Sequence, residues 1–94
     1  MKLTPADKIW AEEVKELDNH KCVICGVSER LNAHHIIPRQ IKKFRWDKTN
    51  GISLCPKHHR FSFELSAHQN PLAFFKWMQK YRSMQLKYLL EEIR

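Results

Sequence analysis

Apolar positions recur at helical spacing near the beginning of the chain. One face of a helix with a period of about 3.6 residues collects four of them, Ile9, Trp10, Val14 and Leu17. The segment Thr4-Pro5-Ala6-Asp7 precedes most of this face and combines an N-cap threonine, a proline at the first helical position and an acid three residues after the cap. The pattern predicts a first helix over about residues 5–17, with a packing role.

The middle of the chain predicts two short strands. Residues 31–37 are predicted as a short strand that Pro38 ends, and residues 51–54 as a second strand that leads into a helix beginning near Pro56. A basic loop over residues 39–50 connects them. Phe44 and Trp46 are its expected core anchors, because aromatic side chains bury large areas; insertion of Trp46 into a nucleic-acid groove is the alternative.

The last third of the chain repeats the helix-start signal. Asn70-Pro71 combines a cap residue with a proline, and apolar positions continue to Ile93 at helical spacing. This pattern predicts one long helix over about residues 71–93, and with the two strands it indicates the α+β class. No apolar run approaches the roughly 18 residues of a membrane span, and no signal segment opens the chain. A cytoplasmic protein without a membrane partner is therefore expected.

Positive charge is concentrated in the middle of the sequence. The net charge is +7, and the three segments 1–29, 30–63 and 64–94 carry −2, +7 and +2. Such a field indicates a polyanion, here DNA, as the partner. A solvated basic face that serves solubility is the alternative. The expected phosphate contacts are Arg39, Lys42, Lys43, Arg45, Lys48, Lys57 and Arg60.

Three cysteines and a histidine have the spacing of a zinc site. Cys22-x-x-Cys25 is followed about thirty residues later by Cys55-x-x-His58. Thiolates with an imidazole select zinc, and a closed shell of four protein ligands leaves no position for a substrate. An odd number of cysteines argues against a disulfide framework, and so small a domain benefits from a staple. The spacing predicts a structural Zn²⁺ held by these four side chains, with Gly26 relaxing the turn.

The same part of the chain resembles the HNH endonuclease family of the zinc-stapled type, similar to small phage-encoded members. The resemblance covers about residues 20–63 and rests on Cys22-x-x-Cys25, Ala33-His34-His35-Ile36-Ile37-Pro38, Asn50-Gly51-Ile52-Ser53-Leu54-Cys55 and His58-His59. His58 stands where that family usually has a fourth cysteine. The resemblance implies a ββα-metal (His-Me finger) core over about residues 20–68, flanked by the first and last helices. Residues 1–94 would then form a single HNH nuclease domain.

The resemblance also implies roles for individual residues. His35 would be the general base, and His34 and His59 would bind a catalytic divalent cation, Mg²⁺, Mn²⁺, Ni²⁺ or Zn²⁺. Asn50 would support catalysis by holding the histidine loop through hydrogen bonds. Adjacent strand residues point to opposite faces, so His34 and His35 can serve one site only if the strand end is bent.

The third ligand of the catalytic cation is the open point in this assignment. The resemblance puts that ligand at Phe63, which cannot coordinate a metal ion. Either water and phosphate oxygens complete the shell, or His68 folds back and supplies a ligand.

The implied function is metal-dependent hydrolysis of DNA phosphodiester bonds, by nicking or double-strand cleavage. His35 would take a proton from water while one cation offsets charge on the phosphate. Two alternatives stay open: a non-catalytic, zinc-stabilised nucleic-acid-binding module, and an adaptor of a phage packaging complex. By the same analogy we expect a bacterial or phage-infected cell, with phage packaging proteins or a second copy of the chain as further partners.

Overall fold

A two-stranded antiparallel sheet lies at the centre of the fold, and helices pack on it. The computed structural model describes residues 3–93, and the class is α+β. The elements follow in the order α1 (Pro5–Leu17), β1 (Asn32–His35), α2 (Lys42–Arg45), β2 (Gly51–Leu54), α3 (Pro71–Tyr81) and α4 (Ser83–Glu92). A 3-10 turn (Lys48–Asn50) precedes β2, and a π-helical turn (Lys57–Phe61) follows it. Within residues 3–93, none of the helices combines the length and apolarity needed to cross a membrane.

Helix α1 begins and ends where the pattern predicts. Its capping box is complete, because the Asp7 amide donates to the Thr4 hydroxyl (3.2 Å) and the Asp7 carboxylate accepts from the Thr4 amide (2.8 Å). Trp10 and Val14 are buried, whereas Ile9 and Leu17 are each 62% exposed. The buried face of α1 is therefore narrower than its apolar face.

The two strands pair in a short register. His34 lies opposite Ile52 and His35 opposite Gly51. Strand β1 has four residues, fewer than the 31–37 predicted, because the chain leaves the sheet after His35 and the Ile37 amide donates to the Asn50 side chain instead (2.7 Å). The strand thus ends at the second histidine of the doublet.

A glycine allows α1 to lie close against the sheet. A Cβ atom at Gly51 would lie 2.2 Å from Cγ2 of Val14 and 2.8 Å from Cζ2 of Trp10. Strand β2 is buried along its whole length, which leaves no free space on the side of the sheet that faces α1. The missing side chain at Gly51 therefore sets how closely Trp10 approaches His35, the strand partner of Gly51.

The basic loop holds one core anchor instead of two. Phe44 is buried as predicted, but Trp46 is 49% exposed, so its predicted core position is wrong. The indole N–H of Trp46 donates to the Asp7 carboxylate (3.0 Å), and the Arg45 guanidinium lies over its ring. The hydrogen bond ties Trp46 to the edge of α1 and leaves much of its ring facing solvent.

The prediction of one continuous last helix is wrong, because the segment is divided into α3 and α4. Arg82 leaves helical geometry (φ −133°, ψ 41°), and its guanidinium forms an ion pair with Asp18, just after α1. The Gln85 side chain then donates to the backbone carbonyls of Thr49 (2.7 Å) and Gly51 (2.8 Å). These long-range contacts turn α4 towards the sheet, which continuous helical hydrogen bonding would prevent.

The core lies between β2 and the last two helices. Ile52 and Leu54 are fully buried against Phe74 and Met78 of α3 and Leu86 of α4. The cysteines Cys22 and Cys55 belong to the same cluster. A metal ion at those cysteines would therefore be attached directly to the core.

Candidate functional site

The four side chains predicted to bind zinc lie together. One ligand atom from each of Cys22, Cys25, Cys55 and His58 is within 4.8 Å of all the others. The Cys25 and Cys55 sulfurs are 3.7 Å apart, and the Cys55 sulfur is 3.4 Å from Nδ1 of His58. A tetrahedral zinc with bonds of about 2.3 Å to sulfur and about 2.0–2.1 Å to nitrogen separates its ligand atoms by roughly 3.5–3.8 Å. This Cys3His cluster could therefore hold a structural zinc.

Local backbone geometry produces the zinc cluster. The Gly26 amide donates to the Cys22 carbonyl (2.8 Å), and Gly26 has a φ of +83°, which closes a tight knuckle. Burial opposes ionisation of the Cys22 thiol, but the backbone N–H groups of Ile24, Cys25 and Cys55 outweigh it and lower its pKa. The knuckle thus favours the thiolate form, which is the form that binds zinc.

A second cluster contains three histidines. His34 of β1, His59 of the π-helical turn and His68 each offer a ring nitrogen within 4.8 Å of the other two. The Nε2 atoms of His59 and His68 are 3.1 Å apart, and the ring of His34 is centred 5.1 Å and 5.2 Å from those two rings. A tetrahedral ion with bonds of about 2.0–2.1 Å separates its nitrogen ligands by roughly 3.3 Å. The three side chains therefore fit around one cation.

Backbone pairing brings His68 to the cluster. The Ala67 amide donates to the His58 carbonyl (2.9 Å), and the His68 amide donates to the His59 carbonyl (3.0 Å). The chain thus folds back on the π-helical turn, which is a single turn where a helix was predicted. Phe63, where the resemblance puts the third ligand, is 79% exposed and lies outside the cluster. Of the two alternatives that the sequence left open, the geometry favours a ligand from His68.

The imidazoles of this cluster are held neutral. Burial, with the neighbouring histidines His59 and His68, lowers the pKa of His34 to about 3. Burial and His68 lower the pKa of His59 to about 4. The neutral ring is the form that binds a metal ion, so the environment and the ligand chemistry agree.

His35 lies beside this cluster with its own set of partners. Its ring stacks on Trp10, with centroids 3.8 Å apart and planes 9° apart. Its Nε2 atom is 2.8 Å from the backbone oxygen of Arg45. A carbonyl oxygen only accepts, so Nε2 carries the proton and Nδ1 is left as the acceptor. Burial lowers the pKa of His35, which also favours the neutral ring.

One cavity of about 430 Å³ joins the two sets of histidines. It is lined by His34, His59 and His68 and also by His35. The basic residues Arg39 and Arg60 line it too. His34 and His35 can face one cavity because β1 ends at His35. Two adjacent residues of a regular strand would point to opposite faces of the sheet.

Asn50 is a buried backbone clamp. Its side-chain oxygen accepts from the Ile37 amide (2.7 Å), and its nitrogen donates to the carbonyls of Ile37 (2.9 Å) and Phe44 (3.1 Å). The residue is fully buried and does not line the cavity. These contacts are those of a residue that holds the loop after His35.

The predicted phosphate contacts fall into three groups. Arg39 and Arg60 line the cavity. Arg45 donates to the Asp7 carboxylate from Nε (2.9 Å) and Nη2 (2.7 Å), so a phosphate could recruit it only by breaking an ion pair. Arg39 is also paired with Asp7, through a longer contact of 3.4 Å from its Nη2. Exposed lysines make up the third group, outside the cavity lining: Lys42, Lys43, Lys48 and Lys57.

Asp7 is the residue whose role the sequence did not indicate. It is 4% exposed, and its carboxylate accepts from Thr4, Arg39, Arg45 and Trp46. The Arg45 guanidinium holds the pKa of Asp7 well below its usual range. The capping box already accounts for an acid at this position, so the sequence has no further signal for the contact with the basic loop.

Comparison with known proteins links part of the chain to one protein family. Residues 22–62 match the family model described as HNH endonuclease. Curated proteins produced no match, and neither did solved structures. The matched segment contains the zinc cluster, His34, His35 and His59, and indicates nuclease activity in general. This match over residues 22–62 confirms the resemblance to the HNH endonuclease family that was stated from the sequence.

Proposed function

We propose that the chain is a metal-dependent endonuclease that hydrolyses DNA phosphodiester bonds. His35 is the general base, and His34, His59 and His68 hold one divalent cation. The observation that carries the proposal is the shared cavity, in which three neutral imidazoles that fit one cation lie beside a separately held imidazole and two arginines. A site for zinc alone accounts for the cysteines but not for this second arrangement.

The proposed core is of the ββα-metal type. Two antiparallel strands are followed by a helical turn, and the turn carries His59 opposite His34 of β1. The helical part is shorter than the resemblance implies. Backbone pairing of residues 67–68 with residues 58–59 compensates, because it brings in His68.

The ligand set narrows the choice of cation. Imidazole suits Zn²⁺ and Ni²⁺, whereas Mg²⁺ prefers carboxylate, carbonyl and water oxygens. The second cluster offers three imidazoles, which favours Zn²⁺ or Ni²⁺ over Mg²⁺. When bound, the cation would supply Lewis-acid stabilisation of charge on the scissile phosphate and on the leaving 3′ oxygen.

The contacts of His35 suit proton abstraction from water. Hydrogen bonding of Nε2 to the Arg45 carbonyl leaves Nδ1 as the atom that receives the proton. Arg60 lines the same cavity and would hold the phosphate beside this nitrogen. Arg39 also lines the cavity, but it would reach the phosphate by loosening its 3.4 Å ion pair with Asp7. The exposed lysines extend the positive surface along the DNA backbone without reading bases.

A plasmid-nicking assay tests the proposal. The wild-type protein is compared with His35→Ala, and with His20→Asn as an exposed histidine outside both clusters. We expect His35→Ala to lose about 10²-fold or more in nicking rate, the range of general-base catalysis, while electrophoretic shifts of DNA persist. His20→Asn should nick like the wild type.

The other outcomes separate the remaining functions. DNA shifts without nicking in Zn²⁺, Ni²⁺, Mn²⁺ or Mg²⁺ would favour a zinc-stabilised binding module. The loss of both shifts and nicking would favour an adaptor. Full activity of His35→Ala would refute the assignment of the base.

A further inference from the structure

We infer that Trp10 and Asp7 of α1 are positioning residues for His35, a role that rests on the proposed function of His35 as the base. Helix α1 lies outside the matched segment 22–62. Within that segment, the orientation of His35 depends on the Arg45 carbonyl. Both the plane of the ring and the location of this carbonyl are held from α1.

Trp10 fixes the plane of the imidazole. The two rings are nearly parallel, at 9°, with centroids 3.8 Å apart, and Trp10 is only 3% exposed. Its own orientation is set by the indole N–H, which donates to the Asp47 carbonyl (2.7 Å). Rotation of the imidazole about its Cβ–Cγ bond would turn its edge into this indole. The stack therefore resists the ring rotation that would carry Nε2 away from the Arg45 carbonyl.

Asp7 fixes the hydrogen-bond acceptor of His35. Its two carboxylate oxygens accept from Nε and Nη2 of Arg45, a bidentate pair with little freedom to move. The same carboxylate accepts from Trp46 (3.0 Å). Residues 45 and 46 are thus attached to α1, and the Arg45 carbonyl lies 2.8 Å from Nε2 of His35 as a result.

The two contacts have one consequence for the proposed reaction. A base must present its unprotonated nitrogen to the water, and an imidazole free to rotate would lose the hydrogen bond to the Arg45 carbonyl that keeps the proton on Nε2. Outer partners that orient a metal-binding histidine are typically worth about 10–100-fold in affinity or activity, and we expect an effect of the same size for a base. We therefore expect α1 to contribute to the rate of the chemical step and not to DNA affinity.

The test compares three substitutions in α1. Trp10→Leu removes the stack and keeps a buried apolar group, Trp10→Phe restores an aromatic face, and Val14→Ala loosens the same helix one turn further on. Single-turnover nicking is measured at saturating protein, with DNA affinity and thermal stability measured for each variant. We expect Trp10→Leu to slow nicking by about 10–100-fold at unchanged affinity. Trp10→Phe should recover most of that loss, and Val14→Ala should nick like the wild type.

Nitrogen-15 NMR of the His35 ring supplies a readout that does not depend on activity. The wild-type spectrum should show a single tautomer with the proton on Nε2, and Trp10→Leu should show averaging of the two nitrogens. If Trp10→Leu fails to fold, the positioning role is judged from the wild-type spectrum and from the Trp10→Phe variant. Averaging in the wild type, or wild-type nicking by a folded Trp10→Leu, overturns the inference. An equal loss of rate in Val14→Ala overturns it too.

The two readouts separate this inference from the proposed function. If the wild-type protein does not nick DNA in any of the cations, the proposed function fails, and the NMR spectra still decide whether α1 orients the His35 ring. If the wild type nicks and Trp10→Leu nicks equally well, the function stands and the positioning role fails.

Discussion

Substitution of Gly51 by alanine tests how closely α1 rests on the sheet. The added Cβ would lie 2.2 Å from Cγ2 and 3.1 Å from Cγ1 of Val14, and 2.8 Å from Cζ2 of Trp10. Gly51 has extended backbone (φ −137°, ψ 154°), which any residue adopts. Backbone strain therefore contributes nothing, and the whole penalty is steric.

The size of that penalty follows from the two neighbours. Val14 and Trp10 are 1% and 3% exposed, so neither can move its side chain into solvent, and α1 itself must shift. Overpacking a filled core costs about 1–3 kcal/mol, and contacts this short put the variant at roughly 3 kcal/mol. For a domain of this length that loss corresponds to a decrease in melting temperature of about 12–24 °C.

A double-mutant cycle with Val14→Ala isolates the steric cause. Thermal unfolding is followed by circular dichroism for the wild type, both single variants and the double variant. Val14→Ala removes both methyl groups that collide with the new Cβ, so the double variant should be more stable than additivity predicts by about 1–3 kcal/mol. The remaining contact with Trp10 keeps the rescue partial.

Gly26→Ala is the matched glycine control. A Cβ at Gly26 meets nothing within 4 Å, but the φ of +83° is strained for alanine. It should lose about 1–2 kcal/mol without coupling to Val14. A Gly51→Ala protein within about 0.5 kcal/mol of the wild type, or an additive cycle, would refute the packing argument.

Three further results are expected. Asp7→Asn should lower the free energy of unfolding, because it removes the negative charge that pairs with Arg39 and Arg45. The folded pKa of Asp7 lies below its unfolded value, so its stabilising contribution is complete above about pH 4 and decreases as the pH falls. The acid denaturation of Asp7→Asn should therefore be less steep than that of the wild type. Equal acid-denaturation curves for the two proteins would contradict this. Cys22→Ser, or removal of zinc by a chelator, should unfold the core to which the zinc cluster belongs. Zinc content and circular dichroism are the measurements. A folded, zinc-free protein would disprove the structural role of the zinc. His68→Ala should weaken cation affinity at the second site by about tenfold or more, and added cation should restore nicking. Phe63→Ala should leave cation affinity and nicking unchanged. Equal effects of His68→Ala and Phe63→Ala would reject His68 as a ligand.

Signals that lie within a few residues of one another were readable from the sequence. Thr4, Pro5 and Asp7 define the start of α1, since a helix cap depends on groups three positions apart. The pairs Cys22/Cys25 and Cys55/His58 predicted the zinc cluster, because tetrahedral coordination needs closely spaced pairs of ligands. The resemblance to the HNH endonuclease family also rested on a motif, and the match over residues 22–62 confirms that resemblance.

The second metal cluster was predictable only in part. His34 and His59 follow from their positions in the motif, but the sequence left His68 as one of two alternatives. Its participation depends on backbone hydrogen bonds from residues 67 and 68 to residues 58 and 59. Such pairing has no periodic signature, so the chain has to fold back before the third imidazole is distinguishable from a surface histidine.

The sequence by itself determined the α+β class of the chain, the starts of α1 and α3, the Cys3His set that could hold zinc, and the histidine doublet. The tertiary structure alone decided that the last helix breaks at Arg82, that Trp46 stays half exposed, and that Asp7 pairs with Arg45, whose carbonyl contacts His35. The physical reason is the range of the interactions. Caps, turns and ligand pairs are local and leave a pattern in the sequence, whereas the pairs Arg82–Asp18 and Arg45–Asp7 join groups 64 and 38 residues apart. Their partners are chosen by packing and by the need of a buried charge for a counter-charge.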